Sequence, residues 1–175
     1  MNLGGVKVVK FLKEWAAPVI IAVVLAVLIN KFIFFNVGVP TGSMYPTIKP
    51  GDKIFTLRTY RESSIKRGDI LVFHSEEVDK DLIKRVVGLP GETVEIQADG
   101  SVYINGEYLV EEYVKNPSDK QGLFVIPEDC YLFLGDNRGD SIDARYWSNP
   151  YINFEDIKGE AKFIIFPFNR FGKLK

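Results

Sequence analysis

The chain has 175 residues, 46% of them hydrophobic and 26% charged, a balance that excludes a disordered chain and is enough for one domain with a core behind an anchor. The formal charge is −1; Lys7, Lys10, Lys13 and Lys31 against Glu14 put +3 in residues 1–35 and leave −4 in residues 36–175, which argues against nucleic acid as the main partner. One cysteine, Cys130, excludes an intrachain disulfide and a cysteine-based metal site, and the one histidine, His74, has no second histidine to join it at zinc.

Residues 15–35 are apolar except for Asn30 and Lys31. As a helix they would span about 30 Å, one hydrocarbon core. Pro18 sits near the start of the run, where a missing N–H costs least. Lys31 lies near the far end and can snorkel to the interface. A cleaved signal peptide would have a shorter apolar region and a small-x-small site after it. A buried core helix is rarely apolar for so long. The run therefore reads as an uncleaved transmembrane anchor. Three lysines precede it, and after Lys31 no charge appears until Lys49. The positive-inside rule puts residues 1–14 in the cytoplasm and residues 36–175 outside.

Pro40-Thr41-Gly42-Ser43-Met44-Tyr45-Pro46-Thr47 follows the anchor. Gly42 removes bulk beside the serine, and the two prolines stiffen the approach and the exit. Such a segment can present the Ser43 hydroxyl and N–H to one carbonyl. Taken alone, its composition is also that of an ordinary turn. Ser43 is eight residues past Phe35. Fully extended, that stretch reaches about 28 Å, so Ser43 acts at or near the outer membrane surface.

From Asp52 on the pattern is β. Runs at 53–57, 70–73, 81–87, 93–97, 101–104, 125–126, 131–134 and 161–166 are separated by turns. Ala98-Asp99-Gly100 and Asn105-Gly106 are hairpin signals, and residues 115–121 read as an exposed polar loop. Short strands without a long helical period predict a mainly β, antiparallel domain.

The run at 81–87 puts Leu82, Lys84 and Val86 on one face. A lysine between apolar neighbours is a candidate for desolvation, which lowers its pKa. A neutral amine can take a proton from a serine hydroxyl. The other reading of Lys84 is a solvated lysine on a sheet edge. His74 reads as a partly exposed structural residue. Residues 135–145, Gly-Asp-Asn-Arg-Gly-Asp-Ser-Ile-Asp-Ala-Arg, hold three aspartates, but the spacing is not that of an EF-hand and two arginines interleave. Paired Asp and Arg at a strand end fit a buttress of charge-assisted hydrogen bonds.

Together these stretches resemble the bacterial type I signal peptidases, membrane-anchored serine proteases with a Ser/Lys dyad. The resemblance covers nearly the whole chain and keeps the family's order: the anchor, Gly42 to Thr47, Gly51-Asp52, Arg67-Gly68-Asp69, Lys84 to Gly91, and Gly135 to Arg145. It implies Ser43 as nucleophile, Lys84 as general base and Met44 on the floor of the substrate pocket. It implies that Ser141 hydrogen-bonds the Lys84 amine, that Asp143 pairs with Arg145, and that Asp136 pairs with Arg85. Thr41 stands where one branch of the family has an oxyanion-binding serine. Ala144 departs from the family's serine. The implied fold is two antiparallel β-sheets, with residues 97–124 as a smaller lobe. No metal or cofactor is implied.

The implied substrates are secretory precursors, met at the lipid surface, with small residues at the −1 and −3 positions. Adjacency to the dyad suggests shallow pockets lined by Val39, Met44, Ile48 and Ile83, with the extended peptide added as a strand. The secretion translocon is a further conceivable partner of the middle segment. Two rival readings remain. A self-cleaving Ser/Lys regulator would be cytoplasmic and lack the anchor. A membrane-tethered β module that binds a surface partner without catalysis would leave Ser43, Lys84 and Ser141 without a purpose.

Overall fold

The structure, a computed structural model, describes the backbone of residues 3–174 and the side chains of residues 15–174. Two units are recognised, residues 1–35 and 36–175.

The first unit is a helix, α1 (Leu3–Phe32). Its Trp15–Phe32 segment is long and apolar enough to cross a membrane. The Asn30 amide donates to the Ala26 carbonyl at 3.0 Å, which satisfies a polar side chain inside an apolar stretch. Two expectations need correction. The helix begins at Leu3, so Pro18 is interior rather than near its start. It ends at Phe32, and Phe34 and Phe35, expected in the anchor, begin a strand. The side chains of Lys7, Lys10 and Lys13 lie outside the described residues.

The strands in chain order are β1 (Phe34–Gly38), β2 (Lys53–Arg58), β3 (Ile70–Ser75), β4 (Lys80–Gly88), β5 (Thr93–Ile96), β6 (Val102–Ile104), β7 (Glu107–Leu109), β8 (Gly122–Val125), β9 (Cys130–Leu134), β10 (Tyr151–Asn153), β11 (Ile157–Phe166) and β12 (Gly172–Lys173). The larger sheet runs β1-β2-β11-β3-β4-β9-β10, with β12 on β11; the smaller runs β7-β6-β5-β8. The smaller sheet begins at Thr93 rather than at residue 97. Both hairpin signals form. Gly100 and the pair Asn105-Gly106 all have positive φ, the backbone these tight connections require.

One core joins the sheets. Phe73 and Phe133 stack at 4.2 Å, and Val86, Val87 and Leu132 continue into Val94, Ile96 and Ile126 of the smaller sheet. A Cβ on Gly88 would stand 2.1 Å from Ile126 Cδ1 and 2.7 Å from Val94 Cγ2, so only glycine admits this approach. Covering both faces of β4 removes its alternation: every residue from Ile83 to Gly88 is buried, with an irregular register against β9 between Val86 and Gly88. Lys84 falls inside that stretch.

Candidate active site

Ser43 sits in the loop between β1 and β2. Val39 and the 51–52 turn close its base, with Val39 N–H donating to the Asp52 carbonyl at 3.0 Å and Gly51 N–H to the Val39 carbonyl at 2.8 Å. The Asp52 carboxylate accepts from Lys49 N–H at 2.8 Å and from Arg170 Nε at 2.9 Å. Met44 and Ile48 are fully buried beneath the loop. Asn137 ties the loop to the strand end after β9: its N–H donates to the Ser43 carbonyl at 3.0 Å, and its Nδ2 donates to the Gly42 carbonyl at 3.0 Å.

The Lys84 Nζ lies 2.5 Å from Ser43 Oγ. Lys84 is 3% exposed, so the reading of a solvated edge lysine is excluded. Burial pushes its pKa down from 10.5 to about 8; Asp143 opposes the shift, Arg145 adds to it, and Asp136 opposes it. With the amine neutral, the serine O–H donates to Nζ, the arrangement a base needs. Thr41 Oγ1 lies 3.5 Å from Ser43 Oγ.

Both expected ion pairs form. Arg85 grips Asp136 in a fork, Nε to Oδ1 at 2.8 Å and Nη2 to Oδ2 at 2.7 Å. Thr47 Oγ1 also donates to Asp136 Oδ2 at 2.5 Å, and Arg85 Nη1 to the Gly68 carbonyl at 2.7 Å. Arg145 Nε and Nη2 donate to Asp143 at 2.8 and 2.9 Å, and Gly135 N–H donates to Asp143 Oδ2 at 2.9 Å. Ala144 is buried in the core, where methyl-sized bulk suffices.

Two expectations are not met. Ser141 does not hydrogen-bond the Lys84 amine; its Oγ is buried and finds no partner among the described residues. It packs against Gly135, where a Cβ would stand 2.2 Å away. The second concerns the pocket. A cavity of about 590 Å³ opens at the dyad and is walled by Thr41, Gly42, Ser43, Leu82, Lys84, Ser141, Ile142, Tyr146 and Trp147, among others. Val39, Met44, Ile48 and Ile83 are not among its lining residues; at 5%, 0%, 0% and 9% exposure they pack behind it. All four are buried; Ile83 lies on β4, where every residue from Ile83 to Gly88 is buried, and Val39, Met44 and Ile48 lie beneath the serine loop.

Some groups lie apart. His74 on β3 is 3.2 Å from Asp81 Oδ1 and stays partly exposed, as expected. Another cavity, of about 610 Å³, is lined by Ser75, Glu76, Glu77, Cys130 and Asp156, among others, and shares no lining residue with the cavity at the dyad. Among the described residues, no cluster of His, Cys, Asp and Glu is arranged for a metal ion.

Sequence reasoning missed Asn137, although it lies inside the 135–145 motif, because an asparagine in a turn-rich stretch reads as turn chemistry. It also missed Glu111, Tyr113 and Asn116, which no local pattern distinguishes from solvated loop residues.

The family model described as "Signal peptidase, peptidase S26" matches residues 12–166. A signal peptidase I of Leptolyngbya laminosa is 39% identical over 173 residues, covering 93% of this chain and 84% of the relative. Signal peptidase I T of Bacillus subtilis is 36% identical over 174 residues, covering 93% of this chain and 89% of the relative. A crystal structure of a signal peptidase I from Enterococcus faecalis V583 is 32% identical, covers 55% of this chain and 95% of that one, and superposes with a TM-score of 0.48. On the breadth of the family match and the identity to these relatives, the chain belongs to the signal peptidase family, peptidase S26, and is a serine endopeptidase of that family.

Proposed function

We propose that this chain removes signal peptides from secreted precursors at the outer face of the cytoplasmic membrane, with Ser43 as nucleophile and Lys84 as general base. The observation that carries the reading is the 2.5 Å contact between a buried lysine amine and the serine hydroxyl. Neutral Lys84 takes the Ser43 proton as Oγ attacks the scissile carbonyl. The Ser43 N–H and the Thr41 hydroxyl receive the oxyanion, each good donor contributing about 3–4 kcal/mol. The protonated amine then gives its proton to the leaving nitrogen. Water, activated by the same amine, attacks the acyl ester and frees the serine. Asp143 with Arg145, and Asp136 with Arg85, hold the strand end and β4 in register for this chemistry.

The lysines ahead of the apolar Trp15–Phe32 segment support an inside amino end and an outside catalytic domain. A precursor's apolar segment occupies the same bilayer, so its cleavage site emerges beside the enzyme. Membrane lipid and signal-peptide-bearing precursors are the partners this requires; the translocon is the source from which they arrive.

The test is cleavage in detergent of a precursor with an Ala-x-Ala site by the parent, Ser43→Ala and Lys84→Met proteins, with products weighed by mass spectrometry. A single cut after the second alanine, lost in both variants, is the expected result. Parent-rate processing by both variants would overturn the dyad. A folded parent that leaves the precursor intact would favour the tethered binding module.

A further inference from the structure

The segment that leaves β7, residues 111–116, lies across the back of the site. The Glu111 carboxylate accepts from Arg138 Nη2 at 2.6 Å and Nη1 at 2.9 Å, and from the Tyr113 hydroxyl at 2.5 Å. The Arg85 guanidinium lies over the Tyr113 ring, 3.9 Å from its centre. Asn116 Nδ2 donates to Asn137 Oδ1 at 2.7 Å, and the Asn116 carbonyl accepts from Gly139 N–H at 2.9 Å. The smaller sheet thus reaches the neighbour of the base, Arg85, and the residue that ties down the nucleophile's loop, Asn137.

We propose that Asn116 is a positioning residue for the nucleophile, acting through Asn137. The argument rests on the Ser43–Lys84 reading above and on the chemistry of an amide. An asparagine side chain has a donor end and an acceptor end of nearly equal shape. Asn137 must present its donor to the Gly42 carbonyl, one residue before Ser43. The Asn116 donor fixes the other end as the acceptor and so holds the Asn137 amide in the needed sense. Turned over, Asn137 would set its oxygen against the Gly42 oxygen and push the serine loop away from Lys84. Asn116 is exposed and on a loop, so it can be replaced without disturbing the core.

The experiment assays precursor cleavage by Asn116→Ala and Asn116→Asp, each alone and combined with Asn137→Ala, alongside the parent and Ser43→Ala. Alanine removes the donor. Aspartate replaces it with acceptors that draw the Asn137 amide over, so the closer isostere is the worse enzyme. Asn116→Ala is expected to lower kcat about tenfold and Asn116→Asp more, with KM held within about twofold, since sub-ångström misplacement of reacting groups acts on rate. In the Asn137→Ala background neither change lowers kcat further. Rates at the parent level for both single variants, aspartate cleaving faster than alanine, or an undiminished loss in the Asn137→Ala background would overturn the inference. If Asn137→Ala does not fold, the order of the two single variants decides. Failure of the dyad reading appears separately, as Ser43→Ala cleaving like the parent, and takes this inference with it.

Discussion

The Lys84 amine and the Ser43 hydroxyl lie 2.5 Å apart, the one on a strand covered on both faces and the other on a loop tied down by Asn137. The proximity and the burial have one origin. β4 lies between β3 and β9 and packs against the start of the smaller sheet, so the lysine that reaches the serine is almost wholly removed from solvent.

Burial sets the pH at which this pair works. With the Lys84 pKa pulled down to about 8, the neutral fraction falls tenfold for each unit below that value. Cleavage measured as kcat/KM is expected to rise with unit slope up to about pH 8 and to level above it. A profile already flat from pH 6 would show that no group titrating near 8 acts as the base.

The same shift has a cost in stability, with the opposite sign from a salt-bridged lysine. The folded pKa, about 8, lies below the ordinary 10.5, so between these values the unfolded chain binds more protons than the native one. Stability therefore rises with pH across that window, and below it the full penalty of a buried charge remains. Lys84→Met removes the penalty while keeping the stem, and is expected to raise stability at pH 7 by up to about 3 kcal/mol, a gain that fades between pH 8 and 10.5. Urea midpoints at pH 7 and pH 10.5 read this directly. A variant that is inactive and less stable at both would show that burying the amine carries no net penalty.

The apolar helix and the β class were legible as local patterns, an apolar run and alternating residues, whereas the two Asp–Arg pairs came from the family resemblance, since Arg85 and Asp136 lie 51 residues apart along the chain. Lys84 was legible as a candidate only, since alternation cannot say whether a strand is covered on one face or two. The errors share a cause. Val39, Met44, Ile48 and Ile83 were assigned to pocket walls by their nearness along the chain to the dyad, but which way an apolar side chain turns is decided by the layer packed against it. Ser141 was assigned to Lys84, whereas the approach of Gly135 to the Ser43 loop leaves its hydroxyl against backbone. Asn116 is twenty-one residues from Asn137 and in another sheet's connection, so no window of sequence could join them.

Gly135 is where the two site segments touch. A Cβ there would stand 2.2 Å from Ser141 Oγ and 2.5 Å from the Ser43 carbonyl oxygen. The obstacle on one side is backbone, so the serine loop must move. Gly135→Ala is expected to lower kcat by about 10²-fold, as a misplacement near 1 Å does. Gly88→Ala is the contrast: it strikes the core at Ile126 and Val94 and should lower the melting temperature more than it lowers kcat at 25 °C. Equal effects of the two on kcat would remove Gly135 from the site.

Asp136 neutralises a guanidinium that is almost wholly enclosed. Removing it takes both carboxylate bonds of the fork from Arg85 and frees the Thr47 hydroxyl as well. Asp136→Ala is expected to cost about 3–5 kcal/mol, read as a fall in the urea midpoint with little change in its slope. Asp136→Asn keeps one acceptor and should fall between. A midpoint unchanged in both would mean that the fork contributes nothing net.

Thr41 tests the oxyanion assignment with a change of one atom type. Its Oγ1 is 3.5 Å from Ser43 Oγ, close enough to lie beside an oxygen that develops charge during attack. Valine keeps the branched shape and deletes the hydroxyl, so a loss cannot be blamed on an opened wall. Thr41→Val is expected to lower kcat by about 10²-fold with KM little changed, because the donor is engaged in the transition state and not with ground-state substrate. Thr41→Ser keeps the donor, drops the methyl and should cleave within a few-fold of the parent. If valine and serine both match the parent, the Ser43 N–H holds the oxyanion without help from Thr41. If serine falls and valine matches the parent, the methyl group matters and the hydroxyl does not, and Thr41 is a wall of the cavity rather than a donor into it.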